Sequence, residues 1–169
     1  MVNTIGIDGG VNGGIVVLDE NKQIIFKTIM PAIGKTRKEF DIKALYIILR
    51  GFFDADLIIE KAQPRYRDGS KSAFKTGFGY AVLQSLAIAL HMPYRIVPAK
   101  EWQQHIFKSK KVENTKTSSI AFCKKKWKDE KWLRTPRCQN EHDGMTDAAC
   151  IAYYGLITKE ADKKWLINN

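Results

Sequence analysis

Thr4-Ile5-Gly6-Ile7-Asp8-Gly9-Gly10-Val11-Asn12-Gly13-Gly14-Ile15-Val16-Val17-Leu18 opens the chain, and the fold turns on what its glycines lead into. Thr4 to Asp8 is a short β-rich run that ends in a carboxylate, and residues 9–14 are a glycine-rich turn. In a dinucleotide-binding fold such a turn opens a helix. Here it opens another β-branched run, Gly14 to Leu18, and Asp19-Glu20-Asn21-Lys22 then has the composition of a turn into a third, Gln23 to Ile29. Three antiparallel strands in meander order are expected, without a helical crossover, and the dinucleotide-binding reading fails.

Downstream, Phe40 to Phe53 carries apolar residues near a helical period, with Asp41 early enough to favour its N-terminus. Asp56 to Glu60 is short and continuously apolar, as a buried central strand would be, and again ends in a carboxylate. Pro64 to Ser72 reads as a loop and Ala73 to His91 as a long helix, with Gly77, Gly79 and Ala81 allowing close backbone approach. Tyr94 to Val97 is the fifth strand. Helices are predicted over Lys100–Phe107, Thr115–Trp127 and Gly144–Thr158, with an irregular excursion from Trp127 to Glu141. The order βββαβαβα predicts an α/β fold with a mixed five-stranded sheet flanked by helices. With 169 residues, no internal repeat and no linker, residues 1–169 read as a single domain.

Hydrophobic residues at 44% and charged residues at 27% exclude a disordered or fibrous chain. Apolar stretches such as Ala81 to Leu90 fall short of the roughly 20 residues that cross a bilayer, and the first residues carry no secretory pattern, so the cytoplasm is expected. Cys123, Cys138 and Cys150 are too few for a disulfide framework. Zinc at Cys123, Cys138 and His142 would lack a fourth ligand and any Cys-x-x-Cys pair. The net charge of +10 is concentrated: Arg95 to Arg137 holds thirteen basic and four acidic residues. Such a basic segment is the footprint expected for a polyanion, and nucleic acid is the natural partner.

Asp8 and Glu60 close two apolar strands, where a charge does not serve packing. If those strands are neighbours, both carboxylates emerge at one sheet edge. Asp143 and Asp147, four residues apart, share one face of the last helix. A cluster of four acids repels itself unless divalent cations are bound, and Mg²⁺ or Mn²⁺ prefer such oxygen-rich sites. Two ions about 4 Å apart can activate water and stabilise the leaving oxygen in phosphodiester hydrolysis. His142 competes with Asp143, but lies about 140° round the helix from Asp147 where Asp143 lies about 40° away. Asp143 is therefore the expected ligand, with His142 as a supporting or proton-handling group. Pro64 to Lys71 interleaves basic and aromatic groups, so Arg65, Tyr66, Arg67 and Lys71 are candidate DNA contacts, with Lys75, Lys100, Lys124, Lys125 and Lys126 beside them. Phe74, Phe78 and Tyr80 read as core or dimer interface, and Trp102, Trp127, Trp132 and Trp165 as packing anchors.

Gly6-Ile7-Asp8-Gly9-Gly10, Ile59-Glu60-Lys61-Ala62-Gln63, Ser72 to Tyr80, Val97-Pro98-Ala99-Lys100-Glu101-Trp102 and His142-Asp143-Gly144-Met145-Thr146-Asp147-Ala148-Ala149 resemble, in order, the blocks of RuvC-type Holliday-junction resolvases, most of all the short phage-type branch. The resemblance implies an RNase H-like fold, a homodimer, and Mg²⁺-dependent nicking of paired strands in four-way DNA junctions, with no small-molecule cofactor. It matches Asp8, Glu60, Asp143 and Asp147 to the catalytic acids and Lys116 to a lysine that approaches the scissile phosphate. Two features depart from the pattern. Cellular members usually space the last two acids by three residues, and Gln63 stands where they carry an aromatic wedge, which leaves Tyr66, Phe74 or another aromatic to unstack bases. Two other functions fit the same expected fold: an RNase H-type hydrolase of RNA in RNA/DNA hybrids, and a non-catalytic DNA-binding module.

Overall fold

A computed structural model describes residues 2–34, 38–63, 69–108 and 115–167. β1 (Thr4–Asp8), β2 (Gly14–Leu18) and β3 (Ile24–Ile29) form the expected antiparallel meander. The glycine turn between the first two is closed by the Gly13 N–H, which donates to the Gly10 carbonyl at 2.8 Å. A two-stranded hairpin follows, β4 (Ala32–Ile33) with β5 (Glu39–Phe40). Then come α1 (Ile42–Gly51), β6 (Asp56–Glu60), α2 (Ser70–Ala89), β7 (Tyr94–Val97), α3 (Ala99–Phe107), α4 (Thr115–Lys126) and α5 (Asp143–Ile167). The main sheet has the order β3-β2-β1-β6-β7, with β1–β6 and β6–β7 parallel. Among the described residues no helix is long and apolar enough to cross a membrane.

Local chemistry explains where elements depart from expectation. Phe40 pairs with Ala32 instead of opening a helix, and Asp41 caps α1 by accepting from the Ala44 N–H at 2.9 Å. α2 starts three residues early, directly after the extended Gly69. α5 continues past Thr158 because the residues that follow, among them Lys159, Glu160, Ala161 and Lys163, are helix formers without a glycine or proline to stop it. The excursion after α4 is irregular as predicted, held by an isolated bridge between Leu133 and Glu141.

Strand alternation sorts the core into two layers. Ile5, Ile7, Ile15, Val17, Leu57 and Ile59 pack with Leu45 and Leu49 of α1 and Leu83 and Ala87 of α2. Val16, Leu18, Ile58 and Val97 pack with Trp102, Cys123 and the α5 residues Ala148, Ala149, Ile151 and Ala152. Gly6 lies on this second face, and α5 crosses it at backbone contact: a Cβ on Gly6 would stand 2.2 Å from the Ala148 carbonyl oxygen and 2.3 Å from the Ala152 nitrogen. At the helix start a Cβ on Gly144 would stand 2.6 Å from the Asn12 carbonyl oxygen. The N-terminus of α5 is thereby pressed onto the glycine turn.

Trp102, Trp127 and Trp132 are buried as anchors, while the Trp165 side chain lies outside the described residues. The core alternative for Phe74 and Phe78 is wrong. They are 74% and 44% exposed and stack on each other 6.3 Å apart, because the buried stripe of α2 runs through Gly79, Leu83 and Ala87 instead. Close approach holds for Gly79, against the Phe40 ring, but not for Gly77, which has nothing within 4 Å of an added Cβ.

Candidate active site

β1 and β6 run parallel with Ile7 opposite Ile59, so Asp8 and Glu60 stand side by side one residue further on, at the C-terminal ends of both strands. By alternation both fall on the face of Gly6 and Ile58, the face that α5 covers. Asp143 begins α5 and Asp147 follows one turn later. The seating of that helix on the glycine turn therefore brings all four acids to one cleft of about 910 Å³, which Lys61, Lys75, Gln103 and Tyr80 also line.

Each acid has a defined partner. Glu60 Oε2 accepts from the indole N–H of Trp102 at 2.8 Å, and Asp147 Oδ1 accepts from the Ser119 hydroxyl. Asp143 Oδ1 accepts from the Gly144 N–H at 3.1 Å, and Asp8 Oδ1 from the Gly10 N–H at 3.3 Å. Solvent still reaches Asp8 through the cleft, but the surrounding protein strips most of its hydration. That desolvation, with the negative charges of Glu60, Asp147 and Asp143, pushes Asp8 up from 3.8 to about 8, against the lowering effect of the Gly10 N–H.

Among the described residues no three acid, histidine or cysteine side chains are gathered closely enough to hold an ion as they stand. The donor chemistry nonetheless fits a hard divalent cation. Four carboxylates share the cleft, and one of them, Asp8, keeps its proton because burial and the charges of its acidic neighbours both disfavour ionisation.

The fold is similar to two solved structures of RuvC from Thermus thermophilus. The first, in complex with Holliday junction substrate, has a TM-score of 0.63 at 15% identity, covering 94% of this chain and 96% of that one. The second has a TM-score of 0.61 at 16% identity, covering 95% and 97%. The fold is RuvC-like. No protein-family model matches the sequence, and no curated protein does.

Within this RuvC-like frame the other predicted residues scatter. His142 does not line the cleft; its Nδ1 accepts from the Met145 N–H at 3.2 Å, which makes it the cap of α5. Burial, with Arg134 and Lys38 nearby, lowers its pKa against the raising effect of Asp143. Lys71 is exposed on the first turn of α2, Lys75 lines the cleft, and Lys100 is exposed on the first turn of α3 beside the cleft residue Ala99. Lys124 pairs with Glu141, Lys126 lies over the Tyr153 ring 4.9 Å from its centre, and Lys125 is exposed; none of the three lines the cleft. Arg65, Tyr66 and Arg67 lie outside the described residues, as does the side chain of Lys116, whose backbone is in the first turn of α4.

The cleft lysines, Lys61 and Lys75, come from outside the basic segment; among the described residues that segment adds only Ala99 and Gln103. Of the two lysines only Lys75 is among the expected contacts, and the donor roles of Trp102 and Ser119 toward Glu60 and Asp147 are likewise absent from the sequence expectations. For Trp102 a signal exists, since a buried indole N–H usually needs an acceptor. For Ser119, a small polar residue on a basic helix, there is none.

Proposed function

We propose that this chain is a structure-specific DNA endonuclease that hydrolyses phosphodiester bonds in Holliday junctions or other branched DNA, acting in the cytoplasm as a homodimer with two Mg²⁺ or Mn²⁺ ions per site. The observation that carries the reading is the meeting of Asp8, Glu60, Asp143 and Asp147 in one cleft with Lys61 and Lys75 on its walls. The RuvC-like fold supports the choice of branched DNA, since one of the similar structures is of RuvC with a Holliday junction substrate. Bound by the four acids, divalent cations would supply water activation and neutralise charge on the leaving oxygen.

The protein's own groups do the rest. Lys61 and Lys75 draw a phosphate toward the acids. Asp8 gives up its proton as positive charge enters. Lys116, one turn before Ser119 in α4, stabilises negative charge developing on the phosphate. Arg65, Tyr66, Arg67, Lys71, Lys100 and Lys124 to Lys126 hold the flanking backbone. A homodimer places two such clefts on the two strands to be cut, and the exposed Phe74 and Phe78 suit its interface.

The test is cleavage of end-labelled four-way junction, fork, flap, linear duplex and RNA/DNA hybrid side by side with Mg²⁺ and Mn²⁺. Paired nicks in the junction are expected. Cleavage confined to the hybrid would replace this reading with an RNase H-type one, and binding of the junction without cleavage in either metal would leave a DNA-binding module.

A further inference from the structure

We propose that Trp102 and Ser119 are positioning residues, buried donors on two separate helices that fix how Glu60 and Asp147 meet a divalent cation; the proposal rests on the nuclease reading above. Trp102 and Ser119 are both fully buried. The indole N–H of the first reaches Glu60 Oε2 at 2.8 Å, and the hydroxyl of the second donates to Asp147 Oδ1. Packing alone does not demand the tryptophan contact. Trp132, equally enclosed, has no partner for its indole nitrogen among the described residues.

Both donors come from outside the elements that carry the acids. Glu60 ends β6 and Asp147 lies in α5, whereas Trp102 belongs to α3 and Ser119 to α4. α3 is itself fastened to α5, because Tyr154 O–H donates to Glu101, the neighbour of Trp102. A carboxylate on a flexible stem loses orientational freedom when one oxygen is held by a rigid, dry donor, and partners of this kind typically change metal affinity or activity 10–100-fold. Glu60 has the longer stem and receives the more rigid donor.

Trp102→Phe keeps a large aromatic ring and removes the N–H; Ser119→Ala removes one oxygen, and Ser119→Thr keeps the hydroxyl. Three experiments are run: Mn²⁺ binding to the protein alone by titration calorimetry, junction binding without metal, and junction cleavage kinetics giving kcat and KM. The expected result is roughly a tenfold or greater rise in the Mn²⁺ dissociation constant for Trp102→Phe and for Ser119→Ala. Junction affinity without metal should stay within about twofold, with the loss in kcat and not in KM. Ser119→Thr should stay near the parent, and Trp102→Phe should add nothing in a Glu60→Gln background.

Unchanged Mn²⁺ binding in both variants, with Asp8→Asn still abolishing it, overturns the inference and leaves the nuclease reading standing. A fall in junction affinity as large as the fall in Mn²⁺ affinity assigns both residues to packing and overturns it as well. A parent protein that neither binds Mn²⁺ nor cuts any junction overturns both.

Discussion

A carboxyl group that keeps its proton until about pH 8 is a strange thing to bury at the floor of a cleft unless a cation is meant to displace that proton. The sign of the effect is set by the direction of the shift. Asp8 titrates higher in the fold than in an unfolded chain, so in metal-free protein its contribution to stability is complete below pH 3.8 and is lost as pH rises through about 8. The metal-free protein should therefore melt at a lower temperature at pH 8.5 than at pH 6, with Asp8→Asn flattening that slope and Mg²⁺ raising the melting temperature most at the alkaline end. A slope that survives in Asp8→Asn would assign it to other groups. In activity, Asp8→Asn or Glu60→Gln should abolish cleavage while junction binding persists, since each removes ligand charge without touching the lysines. Asp143→Asn and His142→Ala should separate cleanly. The first loses cleavage, and the second keeps it and costs about 1 kcal/mol in denaturant unfolding, the usual value of a helix cap. If the histidine change is the more damaging to turnover, the ligand assignment is reversed.

Among the elements, α5 and β1 meet where neither has a side chain to spare, and that contact sets the separation of the acids. Gly6→Ala would drive a methyl group to 2.2 Å from the Ala148 carbonyl oxygen, and backbone cannot step aside as a side chain can. A loss of about 1–3 kcal/mol or more is expected, with cleavage falling further than stability because the helix carrying Asp143 and Asp147 must lift. Gly77→Ala is the control: exposed and unobstructed in mid-helix, it should gain about 0.5–1 kcal/mol. Equal effects of the two changes would refute the close-contact account. The same element explains what could be read in the sequence. The meander and the strand-end acids were legible because period-two alternation and a glycine turn are local signals. The β4–β5 hairpin was not, since two-residue strands have no period to detect. Helical spacing put Phe74 and Phe78 on a common face but could not say whether that face is inside. The partners of Glu60 and Asp147 are 42 and 28 residues away in sequence, and no local pattern encodes such a pairing.

Over the described residues, the cluster of Lys124, Lys125 and Lys126 in the basic segment lies outside the acidic cleft. Arg95 to Arg137 holds most of the excess positive charge, yet Lys75 lines the cleft and Lys124, Lys125 and Lys126 do not. Two kinds of lysine should therefore separate in one experiment. Lys75→Ala should lower the slope of log K against log salt by about 0.9 on duplex arms and also slow single-turnover cleavage of bound junction. Neutralising Lys124, Lys125 and Lys126 together should make the slope shallower and leave that single-turnover rate alone. An unchanged slope in the triple variant would make the cluster a solvated face.

The contact of α5 with β1 also has a temporal side. Asp143 and Asp147 are made more than 130 residues after Asp8, and the sheet must pair β1 with β6 before there is a surface for α5 to dock on. Contacts so distant in sequence form late and slowly, and synthesis proceeds from the N-terminus. A nascent chain that has not yet reached α5 thus holds Asp8 and Glu60 without their counterparts, so the acid set is complete only once that helix is made and docked.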